Sequence, residues 1–305
     1  MIMPDSKVVT MSATNSQPVA APLVLIADGD AARRGVLAGL VRRFDPTAII
    51  SEVASGPEFV DVVRDRRPLL AFVSAQLDQM SGPEAVALAR RSGGHLPCLI
   101  FTAPRAFPQW HEIAEKLGAY EVLRLPLDPA HIDALLRANQ RRQQNTPVLV
   151  ASASEVGRRA IQRVLARSGF NLTVAETDSG RHARKLLQIA SYPLAFLDTS
   201  LPDLDGLELA CQLQPLRLPT QIVLLTSQDP KSVAQAARHV GVEFVLKMPF
   251  SGRDIALALH HAFGLRRPYL LNALTKDAAG DALVRVGSLP LSRAGAQPGT
   301  KASPR

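Results

Sequence analysis

The chain is 305 residues long, nearly half apolar and one fifth charged, a core-forming composition sized for about two domains. It has no run of 18 apolar residues to cross a bilayer. Pro4, Asp5, Lys7 and Pro18 interrupt its first twenty residues, which argues against a secretory leader and for a cytoplasmic protein. The net charge of +8 divides as +1 over residues 22–145, +3 over 146–266 and +4 over 267–305, without a dense basic block or interleaved aromatics, so nucleic acid is not the expected partner.

Residues 1–21 lack periodicity and are expected to be a disordered leader. From there short apolar runs alternate with longer amphipathic stretches. Strands are expected at 23–27, 48–53, 69–74, 97–102 and 120–124, and helices near 31–43, 57–66, 83–91, 108–117 and 130–143. Asp30 stands where an N-cap would open the first helix. After the short joint Gln143-Gln144-Asn145-Thr146-Pro147 the alternation resumes. Strands follow at 147–151, 171–176, 193–198, 220–226 and 243–247, with helices near 155–168, 180–190, 206–213, 231–240 and 253–264. Ser154 takes the N-cap place here, and Asp178-Ser179-Gly180 makes a turn into the next helix. Residues 275–305 again lack periodicity, and 267–305 reads as a mostly disordered basic tail. Cys98 and Cys211 each lie alone in apolar stretches and read as buried, reduced thiols. His260 and His261 are adjacent on the last helix, cannot face one another, and read as a surface or partner contact rather than a metal pair.

The second half repeats the first. Ala71-Phe72-Val73-Ser74 returns as Ala195-Phe196-Leu197-Asp198, an offset of 124 that also carries Asp28 to Ser152, Gly56 to Gly180, Gly82 to Gly206 and Thr102 to Thr226. Near the end of each copy it slips by one, with Gly118 facing Gly241 and Pro126 facing Pro249. Strand runs that are apolar throughout suit parallel sheets covered on both faces. The expected architecture is therefore α/β, two tandem doubly wound five-stranded parallel sheets of the flavodoxin-like kind, with domains at 22–145 and 146–266.

In such sheets ligands bind at the carboxyl ends of the strands, near the switch in strand order. The third strand of the second copy closes on Asp198-Thr199-Ser200-Leu201-Pro202-Asp203-Leu204-Asp205-Gly206, which fits D-x-x-L-P-x-x-D-G at every fixed position. On that motif and the five βα units of each copy, residues 22–266 resemble tandem CheY-like response-regulator receiver domains of two-component signalling. The resemblance implies a phosphoryl group carried by the aspartate ending the third strand, with Mg²⁺ held partly by two acidic residues ending the first. It further implies a Thr or Ser ending the fourth strand, and a Lys before a proline ending the fifth, both touching the phosphoryl group.

Neither copy keeps the whole set. In the first, the acidic pair maps to Asp28 and Gly29, the acceptor to Ser74 and the hydroxyl to Thr102; the Lys position falls on Leu125, with Arg124 one residue earlier. Ser74 cannot form an acyl phosphate, so this copy is not expected to be phosphorylated. In the second, Asp198 and Thr226 stand in place, but the acidic pair maps to Ser152 and Ala153. The Lys position there falls on Met248, and Lys247, one residue early, is expected to point away from the pocket because side chains alternate along a strand. No metal site is expected beyond a weak one at Asp198, with Mg²⁺ needed only if Asp198 is phosphorylated. Two readings of Asp198 stand: an acceptor in an altered pocket, or a carboxylate that hydrogen-bonds the N–H groups of its own loop and keeps the loop's shape. Thr102 and Thr226 likewise read either as phosphoryl contacts or as strand caps.

No nucleotide-binding or nucleophile-elbow motif occurs, and the chain does not read as an enzyme. The expected function is that of a bacterial tandem pseudo-receiver. It would act as a phosphorylation-independent adaptor or allosteric regulator of signalling proteins such as histidine kinases or other response regulators. The alternative is a phospho-accepting response regulator that uses Asp198. The resemblance places partner binding, homodimerisation included, on residues 108–143 and 231–264. Tyr120 and Phe244 are the aromatics near the fifth-strand starts on that face.

Overall fold

The computed structural model describes residues 22–104, 109–268 and 283–286. The expected leader and most of the expected tail lie outside the described residues. Strands β1 (Leu23–Ala27), β2 (Ile49–Val53), β3 (Leu70–Ser74), β4 (Cys98–Ala103) and β5 (Glu121–Arg124) form a sheet in the order β2-β1-β3-β4-β5. The second sheet holds β6 (Thr146–Ala151), β7 (Leu172–Thr177), β8 (Leu194–Asp198), β9 (Gln221–Thr226), β10 (Phe244–Lys247) and β11 (Leu283–Arg285), ordered β11-β10-β9-β8-β6-β7. Its first five strands repeat the topology of the first sheet. By packing the chain falls into two compact units. The first runs to Pro104 and includes Leu117–Ala119; the second takes the rest, from Tyr120 onward and with helix α4 (Gln109–Lys116).

The first unit carries helices α1 (Ala31–Phe44), α2 (Gly56–Arg66) and α3 (Gly82–Arg91). The second carries α5 (Pro129–Gln143), α6 (Glu155–Arg167), α7 (Gly180–Ile189), α8 (Gly206–Leu213), α9 (Pro230–Ala237) and α10 (Gly252–Ala262). Within it, Leu149, Ala195, Leu197, Leu224 and Val245 pack towards α7, α8 and α9. Their neighbours Val148, Val150, Phe196, Val223 and Leu246 pack with residues of α6 and α10. Side chains alternate between these two layers, which is why both inward positions of each strand must be apolar. Every residue of β3 and β8 is buried.

Local chemistry sets the helix starts. Asp30 accepts from the N–H groups of Ala32 and Arg33, and Ser154 from that of Gly157. Ser179 caps α7, and Ser55, Ser81 and Ser251 open capping boxes. Glycine is required where a helix start meets a strand end: a Cβ on Gly206 would lie 2.7 Å from the carbonyl oxygen of Asp198, and one on Gly82 only 2.1 Å from that of Ser74.

Three expectations are corrected. Residues 283–285 are not structureless: β11 pairs antiparallel with β10, the Val286 N–H donates to the Glu243 carbonyl (2.8 Å), and Val286 is buried, so the second sheet has six strands. Cys98, the first residue of β4, is only partly buried, and Cys211, on α8, is exposed. His260 is not a surface residue. Its Nδ1 lies 2.6 Å from the carbonyl of Ala256 and must donate to it, which leaves Nε2 to accept from the Tyr120 hydroxyl at 2.8 Å. Tyr120 stacks on the imidazole, Phe170 meets it edge-on, and the Arg142 guanidinium lies 4.8 Å from the Tyr120 ring centroid.

Two outcomes follow from this packing. Gly206→Ala should lower stability by about 1–3 kcal/mol, since the added methyl meets backbone that cannot move aside; chemical denaturation reads it. Burial, aided by the charges of Arg142 and Arg267, holds the imidazole of His260 down to about 4. The unfolded chain therefore takes up a proton near pH 6.5 that the folded chain refuses. Stability is insensitive to this group above that pH and falls between about pH 6.5 and 4 by up to about 3 kcal/mol. Melting curves across that range should show a shallower acid limb for His260→Gln.

Candidate functional site

Two polar pockets lie at the carboxyl ends of the central strands, one in each unit. In the second unit β6 and β8 are parallel neighbours with Ala151 opposite Leu197, so the next residues, Ser152 and Asp198, face each other. Ser152 is fully buried and Asp198 is 3% exposed. The Ser152 hydroxyl donates to Oδ2 of Asp198 at 2.6 Å, and the Ser200 N–H donates to Oδ1 at 2.9 Å. Oγ of Ser152 in turn accepts from the Ser154 N–H at 3.3 Å. Thr226 is fully buried at the end of β9, and its Oγ1 accepts from the Gln228 N–H at 3.1 Å.

The remaining positions lie outside this cluster. Ala153 is exposed and brings no donor. Met248 is half-buried and continues the ladder, its N–H donating to the Thr226 carbonyl at 2.7 Å. Lys247 stands opposite Thr226 in register, is exposed, and makes no hydrogen bond or ion pair among the described residues. Arg158 is the basic group nearest the strand end. Its Nη1 donates to the Ser152 carbonyl (2.6 Å) and its Nε lies 3.5 Å from Glu176, so it serves backbone and a neighbouring acid.

In the first unit Asp28 is 1% exposed at the end of β1. Arg33 forks onto it, Nε to Oδ2 at 2.9 Å and Nη2 to Oδ1 at 2.7 Å, while the Asp30 N–H adds a third bond to Oδ1 at 2.9 Å. Hydrogen bonding to Asp28 raises the pKa of the guanidinium, which stays charged. Ser74, at the acceptor place, accepts from the Gln76 N–H at 3.4 Å and makes no other side-chain hydrogen bond among the described residues. Thr102 is buried at the end of β4. Gly29, Arg33, Asp78 and Ser81 line the open cleft above these groups. Arg124 is exposed at the end of β5 and falls in the other unit.

Sequence reasoning missed the arginines. Arg34 Nη1 donates to the Asp28 carbonyl at 2.6 Å with Nε 3.9 Å from Glu52, which repeats the bonds of Arg158 to Ser152 and Glu176 at the same offset of 124. That recurrence, six residues after Asp28 and after Ser152, was a usable signal. Arg33 has no counterpart, since Gly157 stands in its place. Phe244 is a correction: it is 3% exposed, within the core layer of α6 and α10 and edge-on to His261, so it offers no surface.

Mg²⁺ takes several hard oxygen ligands in a near-octahedral shell. Among the described residues no group of three or more His, Cys, Asp or Glu could hold a metal ion. The first pocket has Asp28 at its base with Asp30 and Asp78 on its lining, the second, among the described residues, has Asp198 alone, and both oxygens of Asp28 and of Asp198 already accept bonds from the chain. These donor sets do not fit the cation.

Residues 140–260 match the family model of the response regulator receiver domain. This segment is a receiver domain. Over 101 residues the chain is 35% identical to the virulence factors positive transcription regulator BvgA of Bordetella pertussis, which covers 33% of this chain and 48% of that protein. Over 111 residues it is 31% identical to the alkaline phosphatase synthesis transcriptional regulatory protein PhoP of Bacillus subtilis, covering 36% and 45%. The chain thus spans about half the length of the curated relatives it matches. A solved two-component system response regulator/GGDEF domain protein superposes with a TM-score of 0.57 at 18% identity, over 80% of this chain and 98% of that one. At that identity the likeness is one of fold alone, and it takes in both repeats.

Removing the Arg33 guanidinium from the first pocket would strand a buried carboxylate. Arg33→Ala should cost between the ~0.2–1 kcal/mol of an exposed pair and the ~3–5 kcal/mol of a buried one, because the arginine side chain is 40% exposed and Asp28 is not. In urea denaturation, Asp28→Asn on top of Arg33→Ala should recover part of the loss.

Proposed function

We propose that this chain is a two-component signalling protein whose receiver units act by protein–protein contact, without phosphoryl transfer, as an adaptor or allosteric regulator. The observation that carries this reading is the way the two pockets divide one set of groups. The first has an acid just after β1 and a serine at the acceptor place; the second has Asp198 at the acceptor place and a serine just after β6. A carboxylate that attacks a phosphoryl donor must have the donor's charge neutralised. Beside Asp198 stand a hydroxyl and an N–H, and Lys247 lies exposed one residue before the place of the receiver lysine. The partners are signalling proteins of the same system, histidine kinases or other response regulators, met in the cytoplasm; a second copy of the chain is a further partner of the same class. The boundaries 22–145 and 146–266 remain the proposed limits of the two receivers.

A second reading rests on Asp198 and Thr226. Both are retained and buried at adjacent strand ends, and they would let Asp198 accept a phosphoryl group in an altered pocket. Intact-mass spectrometry after incubation with acetyl phosphate and Mg²⁺ separates the two. The expected result is no added phosphoryl group on the full chain while an ordinary receiver in the same tube is labelled. A gain lost in Asp198→Ala would establish the second reading instead.

A further inference from the structure

The acids missing from the two pockets have not left holes. In the first, the buried carboxylate of Asp28 needs a counter-charge, since an unpaired one would be strongly unfavourable. The Arg33 guanidinium supplies it, taking both oxygens in a two-pronged bond and reaching Asp30 Oδ2 at 3.0 Å with Nη1. In the second, Ser152 stands at the strand-end acid position. Its Oγ already accepts from the Ser154 N–H, so its proton goes to Oδ2 of Asp198, while Oδ1 is taken by the Ser200 N–H. The two devices are chemically unlike and sit at unrelated repeat positions: Arg33 faces Gly157 and Ser152 faces Asp28. Each ends with the surviving carboxylate bound on both oxygens.

We infer that each pocket carries an internal replacement for the divalent cation, the Arg33 guanidinium in the first and the Ser152 hydroxyl in the second, and that both are thereby closed to Mg²⁺. To enter, the cation would have to displace a charged fork in one unit and a buried hydroxyl in the other, and among the described residues neither place offers it a group of three acids. The chain then holds the same pocket geometry whatever the free Mg²⁺ level. This inference goes beyond the adaptor reading and concerns the cation alone, so its failure would leave the mass measurement above unaffected.

The test is the melting temperature of the full chain with and without millimolar Mg²⁺ at matched ionic strength, checked by line broadening with Mn²⁺. The wild-type chain should not respond. Ser152→Asp sets a second carboxylate opposite Asp198 and should gain a Mg²⁺-dependent rise of about 2–4 °C, whereas Ser152→Ala should gain none. In the first unit, Arg33→Ala with Ser74→Asp should gain a similar rise, and this pair carries the test alone should Ser152→Asp not fold by circular dichroism. A wild-type rise abolished by Asp28→Ala or Asp198→Ala would overturn the inference. So would folded acid-restoring variants no more responsive than wild type.

Discussion

A carboxylate at the end of a central parallel strand, with helices over both faces of the sheet, is cut off from water and must find its donors within the chain. Asp28 and Asp198 both meet this condition, and their surroundings follow from it. The order β7-β6-β8 makes β6 and β8 neighbours, their register sets Ser152 against Asp198, and the bond between them ties two strand ends together across the place where the order switches. In the first unit the same demand is met by a charge from the first turn of α1.

The receiver motif that ends β8 is largely explained by architecture. Leu201 and Leu204 are buried in the layer beneath α7 and α8, Asp205 caps α8 through the N–H groups of Leu207 and Glu208, and Gly206 is required by its approach to the Asp198 carbonyl. Asp203 binds the Ser179 hydroxyl and the N–H groups of Gly180 and Arg181, which hold its carboxyl down to about 2 and pin the loop to the start of α7. Leu201, Asp205 and Gly206, three of the motif's fixed positions, thus each serve the fold of the loop. The motif does not by itself call for phosphoryl chemistry, and only Asp198 within it bears on that question.

The second unit is larger than a five-stranded receiver. The end of α5 runs into β6 and is joined to the turn before β7, with the Asn171 N–H on the Arg142 carbonyl (2.7 Å) and Arg142 Nε on the Gly169 carbonyl (3.0 Å). Arg141 lies over the Phe263 ring, and Tyr120 closes on His260. On the other side β11 occupies the edge of β10. Part of the face expected to meet partners is therefore already engaged by the chain's own residues, and Phe244 and His260 belong to packing.

The sequence by itself determined the architecture. The duplication, the order of the first ten strands and the ten helices, most of them to within a residue or two, the N-caps at Asp30 and Ser154 and the turn at Asp178-Ser179-Gly180 all follow from the repeat and from local periodicity and steric rules. It also showed which strand-end acid of the other copy each copy lacks, because a repeat aligns position with position. What took their place was decided by the tertiary structure. The fork of Arg33 onto Asp28 depends on which way the first turn of α1 aims a long side chain, and the Ser152–Asp198 bond spans 46 residues that only strand pairing brings together. The burial of His260 against Tyr120 joins residues 140 apart, and β11 pairs a strand of three residues, too short to carry a pattern of its own. Such contacts are set by how elements pack, which local spacing does not encode.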